Sequence, residues 1–194
     1  MAEFKRIFTP YYFPHDPNMW ETVEGFFTKE ECDLIKTTGK NMGLQKAGIN
    51  KDNYDNPLHR KAEVSWIPHS ELDWMWVKLH NEIVRINHQN WGFNLKHFDE
   101  AAQYTVYDGK GTHFDFHMDN GPAQLSVRKI SICVNLNEPS EWEGGELQFY
   151  KDRNVIQSLG AIHVFPSYML HRITPLTGGK RESLVLWSGG EFYK

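Results

Sequence analysis

Between Gln103 and Asn120 the chain reads QYTVYDGKGTHFDFHMDN, and no other stretch constrains its fold so tightly. From His113 to Asp119 polar and apolar residues alternate. Read as a strand, this segment puts His113, Asp115, His117 and Asp119 on one face and Phe114, Phe116 and Met118 on the other. His117 and Asp119 therefore offer an imidazole and a carboxylate on one side of a strand. A second His from elsewhere would complete a set of two His and one carboxylate with open positions, the pattern of non-haem Fe(II) oxygenases. Asn120-Gly121-Pro122 ends the strand and puts this pair at a sheet rim. His113 and Asp115 share the spacing, and parity does not exclude them, although they lie deeper in the strand. His171 and His163, both in later strand patterns, are the candidates for the third ligand.

Most of the surrounding sequence is β-rich. Leu125 to Leu136 (LSVRKISICVNL) is largely β-branched and apolar, with Ser131, Cys133 and Asn135 on one face. Gly144-Gly145-Glu146-Leu147 opens a strand to about Tyr150, Asp152 to Asn154 reads as a hairpin turn, and Val155 to Ser158 as the return. Gly160 to Phe165, a segment starting at His171, and Ser183 to Ser188 follow, and Arg60 to Ile67 alternates upstream. Two helices precede most of this. Thr28 and Glu31 form a capping box for Lys29 to Thr38, stopped by Gly39, and Ser70 with Asp73 opens a longer helix to about Gln89. In that helix Leu72, Trp76, Leu79, Ile83 and Ile86 make an apolar stripe. His80 and His88 read as surface or packing residues, and Trp74, Trp76 and Trp91 as helix–sheet packing. The sum predicts a mainly β fold with flanking N-terminal helices: a double-stranded β-helix, the jelly roll of cupin-like proteins.

Length and composition bound the rest. A chain of 194 residues with 40% hydrophobic content suits one domain. Residues 1–95 are expected to carry an arm, the helices and a loop, and residues 96–190 the catalytic jelly roll. Gly39 to Leu58, rich in Gly, Asn, Asp and Lys, reads as a lid or as a disordered insertion. A short edge strand is expected at Glu3 to Phe8. The net charge of −4 without any Lys/Arg block disfavours nucleic-acid and membrane partners. The N-terminus lacks the apolar core of a signal peptide, and no later run is long enough to span a bilayer. Two widely spaced cysteines, Cys32 and Cys133, fit a reducing cytoplasm.

Tyr107, Gly111, Phe114, His117 and Asp119, then Gly144-Gly145-Glu146-Leu147, Phe165-Pro166-Ser167, His171 and Arg181 occur in an order and spacing that resembles the Fe(II)/2-oxoglutarate dioxygenase superfamily. Within it the pattern is most similar to the prolyl 4-hydroxylase-like branch, including small PKHD-type microbial hydroxylases, from about Arg60 to Trp187. The resemblance implies His117, Asp119 and His171 as ligands of Fe(II). It implies Arg181 as the fork for the distal carboxylate of 2-oxoglutarate, with Tyr107 assisting and Lys180 pointing the other way. Asn135 falls near a position where many prolyl hydroxylases carry Tyr, on a face that looks toward the oxoglutarate. The implied reaction consumes O₂ and 2-oxoglutarate, hydroxylates a C–H bond and releases succinate and CO₂, with ascorbate as reductant. The expected substrate is a prolyl residue of a peptide or protein, held under the Gly39 to Leu58 loop and flanked by Arg60 and Trp66. A free amino acid or small metabolite is the alternative, as is a metal-binding or hydrolytic jelly roll with Glu146 as base.

Overall fold

The computed structural model describes residues 19–48, 58–151 and 153–192. Two antiparallel sheets face each other. The elements run, in chain order, β1 (Glu21–Val23), α1 (Lys29–Asn41), β2 (Gln45–Lys46), β3 (Arg60–Lys61), β4 (Glu63–Ile67), α2 (Asp73–Asn90), β5 (Leu95–His97) and β6 (Ala102–Asp108). Then follow β7 (His113–His117), β8 (Arg128–Asn135), β9 (Trp142–Gly144), β10 (Leu147–Phe149), β11 (Arg153–Asn154), β12 (Ile162–Pro166), β13 (His171–Ile173) and β14 (Leu176–Gly190). The wide sheet has the order β1-β12-β8-β14-β6-β4-β2, with β5 and β9 also paired to β14; the small sheet has the order β11-β10-β13-β7-β3. This is the expected jelly roll.

Strand alternation splits the interior into two cores. Tyr104, Val106, Ile130, Ile132, Val134, Ile162, Val164, Leu184 and Leu186 turn one face of the wide sheet toward Ile35 of α1 and Met75, Trp76, Leu79, Ile83 and Ile86 of α2. The residues between them face the small sheet: Tyr107, Cys133 and Phe165 pack with Leu147, Phe149 and Ile173. That second, inter-sheet space is the barrel interior. Every polar side chain discussed below depends on this alternation. No helix of the described residues is long and apolar enough to cross a membrane.

Several expectations need correction. The capping box at Thr28 and Glu31 is present, but α1 does not stop at Gly39. There glycine serves packing rather than termination. A Cβ on Gly39 would lie 2.4 Å from Cγ of the fully buried Tyr104, and its carbonyl accepts from Ser65 Oγ at 2.6 Å. Helix propensity alone says that Gly39→Ala stabilises by up to about 1 kcal/mol. We expect instead a loss of about 1–3 kcal/mol from overpacking, measured as a lower urea midpoint at unchanged slope. The longer helix is capped not by Ser70 but by Leu72, in the left-handed region at φ 55° with no side-chain cap bond.

Arg60 to Ile67 is two strands, because the chain changes sheets at Ala62: β3 pairs with β7 in the small sheet and β4 with β6 in the wide one. Leu125 to Val127 belongs to a 3-10 turn before β8. Gly144 ends β9 and Gly145 follows it before β10, rather than the two opening one strand; both are at left-handed φ, and a Cβ on Gly144 would meet the Pro175 carbonyl at 2.4 Å. The return strand is β11, and Val155 is buried in the barrel core instead. The last strand is far longer than Ser183 to Ser188. Within the expected loop, Gln45–Lys46 pairs with β4; residues 49–57, like the strand expected at Glu3 to Phe8 and the turn residue Asp152, lie outside the described residues.

Candidate active site

The site starts from an irregularity in β7. His171 pairs with His117, whereas Ile173 pairs with Phe114, so β7 spends three steps where β13 spends two. A bulge of this kind reverses alternation along the strand. Phe114 therefore turns to the same side as His117, and the two rings stack with centroids 3.5 Å apart, contrary to the uniform alternation expected from the sequence. His113 and Asp115 turn away. His113 is tied to the carbonyls of Gly111 (2.9 Å) and Leu58 (3.1 Å), and Asp115 lies 3.8 Å from His59. The bulge thus separates the two HxD pairs that spacing could not.

His117, Asp119 and His171 come together with ligand atoms within 4.8 Å of one another, the only such group of His, Cys, Asp or Glu among the described residues. Each imidazole is oriented from behind. Nδ1 of His117 lies 2.7 Å from the Asp115 carbonyl and Nδ1 of His171 lies 2.9 Å from the Met169 carbonyl, and since a carbonyl only accepts, both Nδ1 atoms carry the proton. Both Nε2 lone pairs then face Asp119, at 3.6 Å from Oδ1 and 3.6 Å from Oδ2 respectively. These separations exceed hydrogen-bond length and suit groups arranged around a common ion. The Asp119 backbone is pinned by its N–H to Ser167 O (2.9 Å) and by Arg128 Nη1 to its carbonyl (3.1 Å).

Ionisation favours the same use. Burial, with His117 beside it, pushes the His171 pKa down to about 4, leaving a neutral imidazole at physiological pH. Burial opposes the charge of Asp119, yet His171, His117 and the Ser131 hydroxyl outweigh it and hold the carboxyl below its usual range. Burial, then Arg181, likewise pushes His163 down to about 3.

Both histidines bind protons in the unfolded chain near pH 6.5 but not in the fold, so their stability contribution is complete above pH 6.5 and shrinks as pH falls below it. Metal-stripped protein should accordingly lose roughly 2 kcal/mol per histidine between pH 7 and pH 5. Chemical denaturation at the two pH values checks this, and a His163→Gln variant should show about half the slope.

Toward the start of β8, beside Asp119, stand Arg128 and Trp187, which sequence reasoning did not single out, and Trp66, which it did. The Arg128 guanidinium lies 3.6 Å over the Trp187 ring and forks onto Glu100 at 2.6 and 2.5 Å. Trp66, 37% exposed, stands 6.3 Å from Trp187. The Trp187 indole Nε1 is buried and unpartnered. Trp187 shares Arg181's strand parity six residues on, which was the available signal. Arg60 lies in the barrel wall, buried, 4.4 Å over Phe114 and donating to Gln103 Oε1 at 2.8 Å.

Below the triad, Arg181 is fully buried, opposite Tyr107 in register, with its guanidinium carbon 5.7 Å from that ring. Its Nη2 donates to Asn135 Oδ1 at 2.9 Å, while Nε and Nη1 have no partner. Lys180 points outward to Asp108 at 3.2 Å. His163 is in the interior too, but its ring nitrogens face Thr22 and Asn135 and it does not join the triad.

Comparison with known proteins agrees with this architecture. Residues 102–189 match the family described as the 2OG-Fe(II) oxygenase superfamily. A PKHD-type hydroxylase of Psychrobacter sp. (strain PRwf-1) is 34% identical over 91 residues, covering 44% of this chain and 35% of that protein. One of Hyphomonas neptunium is 34% identical over 87 residues, covering 41% and 38%. The match thus spans little more than a third of the length of these relatives. Among solved structures, a prolyl hydroxylase from Trichoplax adhaerens, in complex with a hypoxia inducible factor oxygen degradation domain peptide fragment, superposes with a TM-score of 0.75 at 19% identity, covering 89% of this chain and 84% of that one. A Pseudomonas putida prolyl-4-hydroxylase gives 0.71 at 20% identity, covering 89% and 93%.

Proposed function

We propose that this chain, whose residues 102–189 match the 2OG-Fe(II) oxygenase superfamily, hydroxylates a C–H bond using Fe(II), 2-oxoglutarate and O₂, releasing succinate and CO₂. The observation that carries this reading is Arg181: a fully buried guanidinium with two orphaned nitrogens, on the interior face of the barrel that also holds the triad. A buried, half-satisfied cation is costly unless an anion completes it. The distal carboxylate of a 2-oxo acid is such an anion, and Arg presents the matching fork. The triad fits Fe(II) by its donor set, two unprotonated imidazole nitrogens and a carboxylate.

Bound there, the iron and the 2-oxo acid supply the redox chemistry, with ascorbate as the proposed reductant. The chain's part is to hold and to exclude. His117, Asp119 and His171 would hold the metal, and Arg181 with Tyr107 would anchor the co-substrate. Phe114, stacked on His117, and Phe165, whose ring lies 4.8 Å from that of His171, screen the imidazoles from water. No side chain is asked to move a proton.

We propose a prolyl residue of a peptide or protein as substrate. The surface beside Asp119 supports this: Trp66, 37% exposed, offers an aromatic face next to the buried Trp187, and Met118 and Tyr168, about half exposed, flank the Asp119–Ser167 backbone link. The Trichoplax fold neighbour, in complex with a peptide, supports the same class. Incubation with Pro-rich peptides and, separately, with free proline should give succinate and a one-oxygen mass gain only with peptides. Turnover of free proline with inert peptides would overturn the substrate and leave the chemistry standing. The hydrolytic reading has less support, because its candidate base Glu146 stands beside the inward-facing Leu147 and accepts from Asn154 Nδ2 at 2.9 Å. We also propose a cytoplasmic setting, an expectation that rests on the two widely spaced cysteines of the sequence.

A further inference from the structure

Behind Arg181 runs a line of polar groups whose hydrogens can be assigned from its ends. A guanidinium only donates, so the atom of Asn135 at 2.9 Å from Arg181 Nη2 is the amide oxygen. The Asn135 NH₂ therefore faces the other way, toward His163 Nε2 at 3.5 Å and Gln157 Oε1 at 3.4 Å. Gln157 is set independently and agrees: its own NH₂ donates to the Val155 carbonyl at 3.0 Å, so the group it turns to Asn135 is the oxygen. At 3.5 Å this is a long contact, and an NH₂ turned to His163 Nε2 suits a lone pair there rather than a second N–H. That arrangement assigns the His163 proton to Nδ1, 3.1 Å from Thr22 Oγ1, which can accept it.

We propose that Asn135, His163 and Thr22 form a positioning network for Arg181: the Nδ1–H form of His163 holds the Asn135 amide, whose oxygen holds Nη2, so that Nε and Nη1 stay directed at a bound carboxylate. The inference rests on the oxygenase reading given above and deepens it. Two features make the network more than a filled core. The line runs from the guanidinium to β1, in a segment that precedes the family-matched residues, and Thr22 and His163 are direct partners in the β1–β12 register. Every group in the line is charge-neutral except Arg181, and burial keeps His163 so, so the network orients the cation without neutralising it. A carboxylate at position 135 would orient it as well but would occupy the charge, which is the physical reason an amide suits this position.

The test uses the full chain. In ¹⁵N-labelled protein, with His163→Gln to assign the signal, the ring should show a protonated Nδ1 and an unprotonated Nε2 at neutral pH. The opposite tautomer, or an imidazolium, would overturn the proposal. Binding of 2-oxoglutarate to Mn(II)-loaded protein, followed by calorimetry, gives the second reading. Thr22→Val should weaken it by roughly tenfold, the scale of one lost hydrogen bond, and Thr22→Ser should restore it, with Mn(II) affinity constant in both. Asn135→Asp should weaken it far more than Thr22→Val does. Wild-type affinity for 2-oxoglutarate in Thr22→Val would overturn the positioning role. Wild-type protein that takes up Mn(II) but no 2-oxoglutarate would overturn the oxygenase reading itself, a result the tautomer measurement cannot produce.

Discussion

Replacing His171 with Ala is expected to abolish stoichiometric Fe(II) binding, and the same holds for His117→Ala and Asp119→Ala. Each supplies one donor of three, and the remaining pair cannot enclose an ion from one side. Loss of a mere outer partner of a ligand already costs about 10–100-fold in affinity, so loss of a ligand should exceed about a hundredfold. His113→Ala and His163→Gln should retain the metal, since His113 faces the Gly111 and Leu58 carbonyls and His163 faces Thr22 and Asn135. Anaerobic titration with Fe(II), or with Mn(II) as a redox-stable probe, reads this directly. Retention of metal by His171→Ala together with its loss in either control would show the wrong three residues were chosen. Removing Asp119 also removes a buried charge whose Oδ2 has no hydrogen-bond partner. Because His171, His117 and the Ser131 hydroxyl nevertheless hold that carboxylate charged in the metal-free fold, Asp119→Ala should lose some stability, and a urea midpoint measured on metal-free protein separates metal loss from unfolding.

Arg181→Ala should raise the 2-oxoglutarate requirement by two to three orders of magnitude. Breaking a buried charge pair by removing one partner costs about 3–5 kcal/mol, and 1.4 kcal/mol is about a tenfold change in binding. Lys180→Ala should change it little, because that ammonium is 43% exposed and pairs with Asp108 on the outside of the barrel. Equal losses in the two variants would remove Arg181 from the site. Metal binding is the internal control. Arg181 stands on β14 near Asn135, whereas His117 and His171 sit on β7 and β13 and Asp119 just beyond the end of β7, so Mn(II) affinity should survive in Arg181→Ala while co-substrate binding fails.

Much of the fold was legible because alternation is a local property. The strands β7, β8, β12 and β13 could be placed from the spacing of apolar residues, as could both helices. The same count of two put His117 and Asp119 on one face, although it put His113 and Asp115 there as well. The resemblance in motif order then tied residues more than sixty positions apart, which no periodicity could do.

What the sequence could not decide was settled by contacts between distant segments. Nothing near Gly39 announces that Tyr104 will occupy the space of its absent Cβ, so a packing glycine read as a stop. Nothing in Arg60 to Ile67 shows the change of sheets, because either half alternates equally well and only the partners, β7 and β6, differ.

Most tellingly, HFD and HMD are equivalent in the sequence. They became different when pairing with β13 forced one extra residue into β7 and turned His113 outward. A one-residue slip reverses every side chain beyond it, so a ligand set on a strand depends on register, and register is set by the partner strand. Asn135, His163 and Thr22 show the same limit: three unremarkable polar residues, far apart in the chain, acquire a shared orientation only because β1, β12 and β8 lie side by side and a buried guanidinium at the end can do nothing but donate.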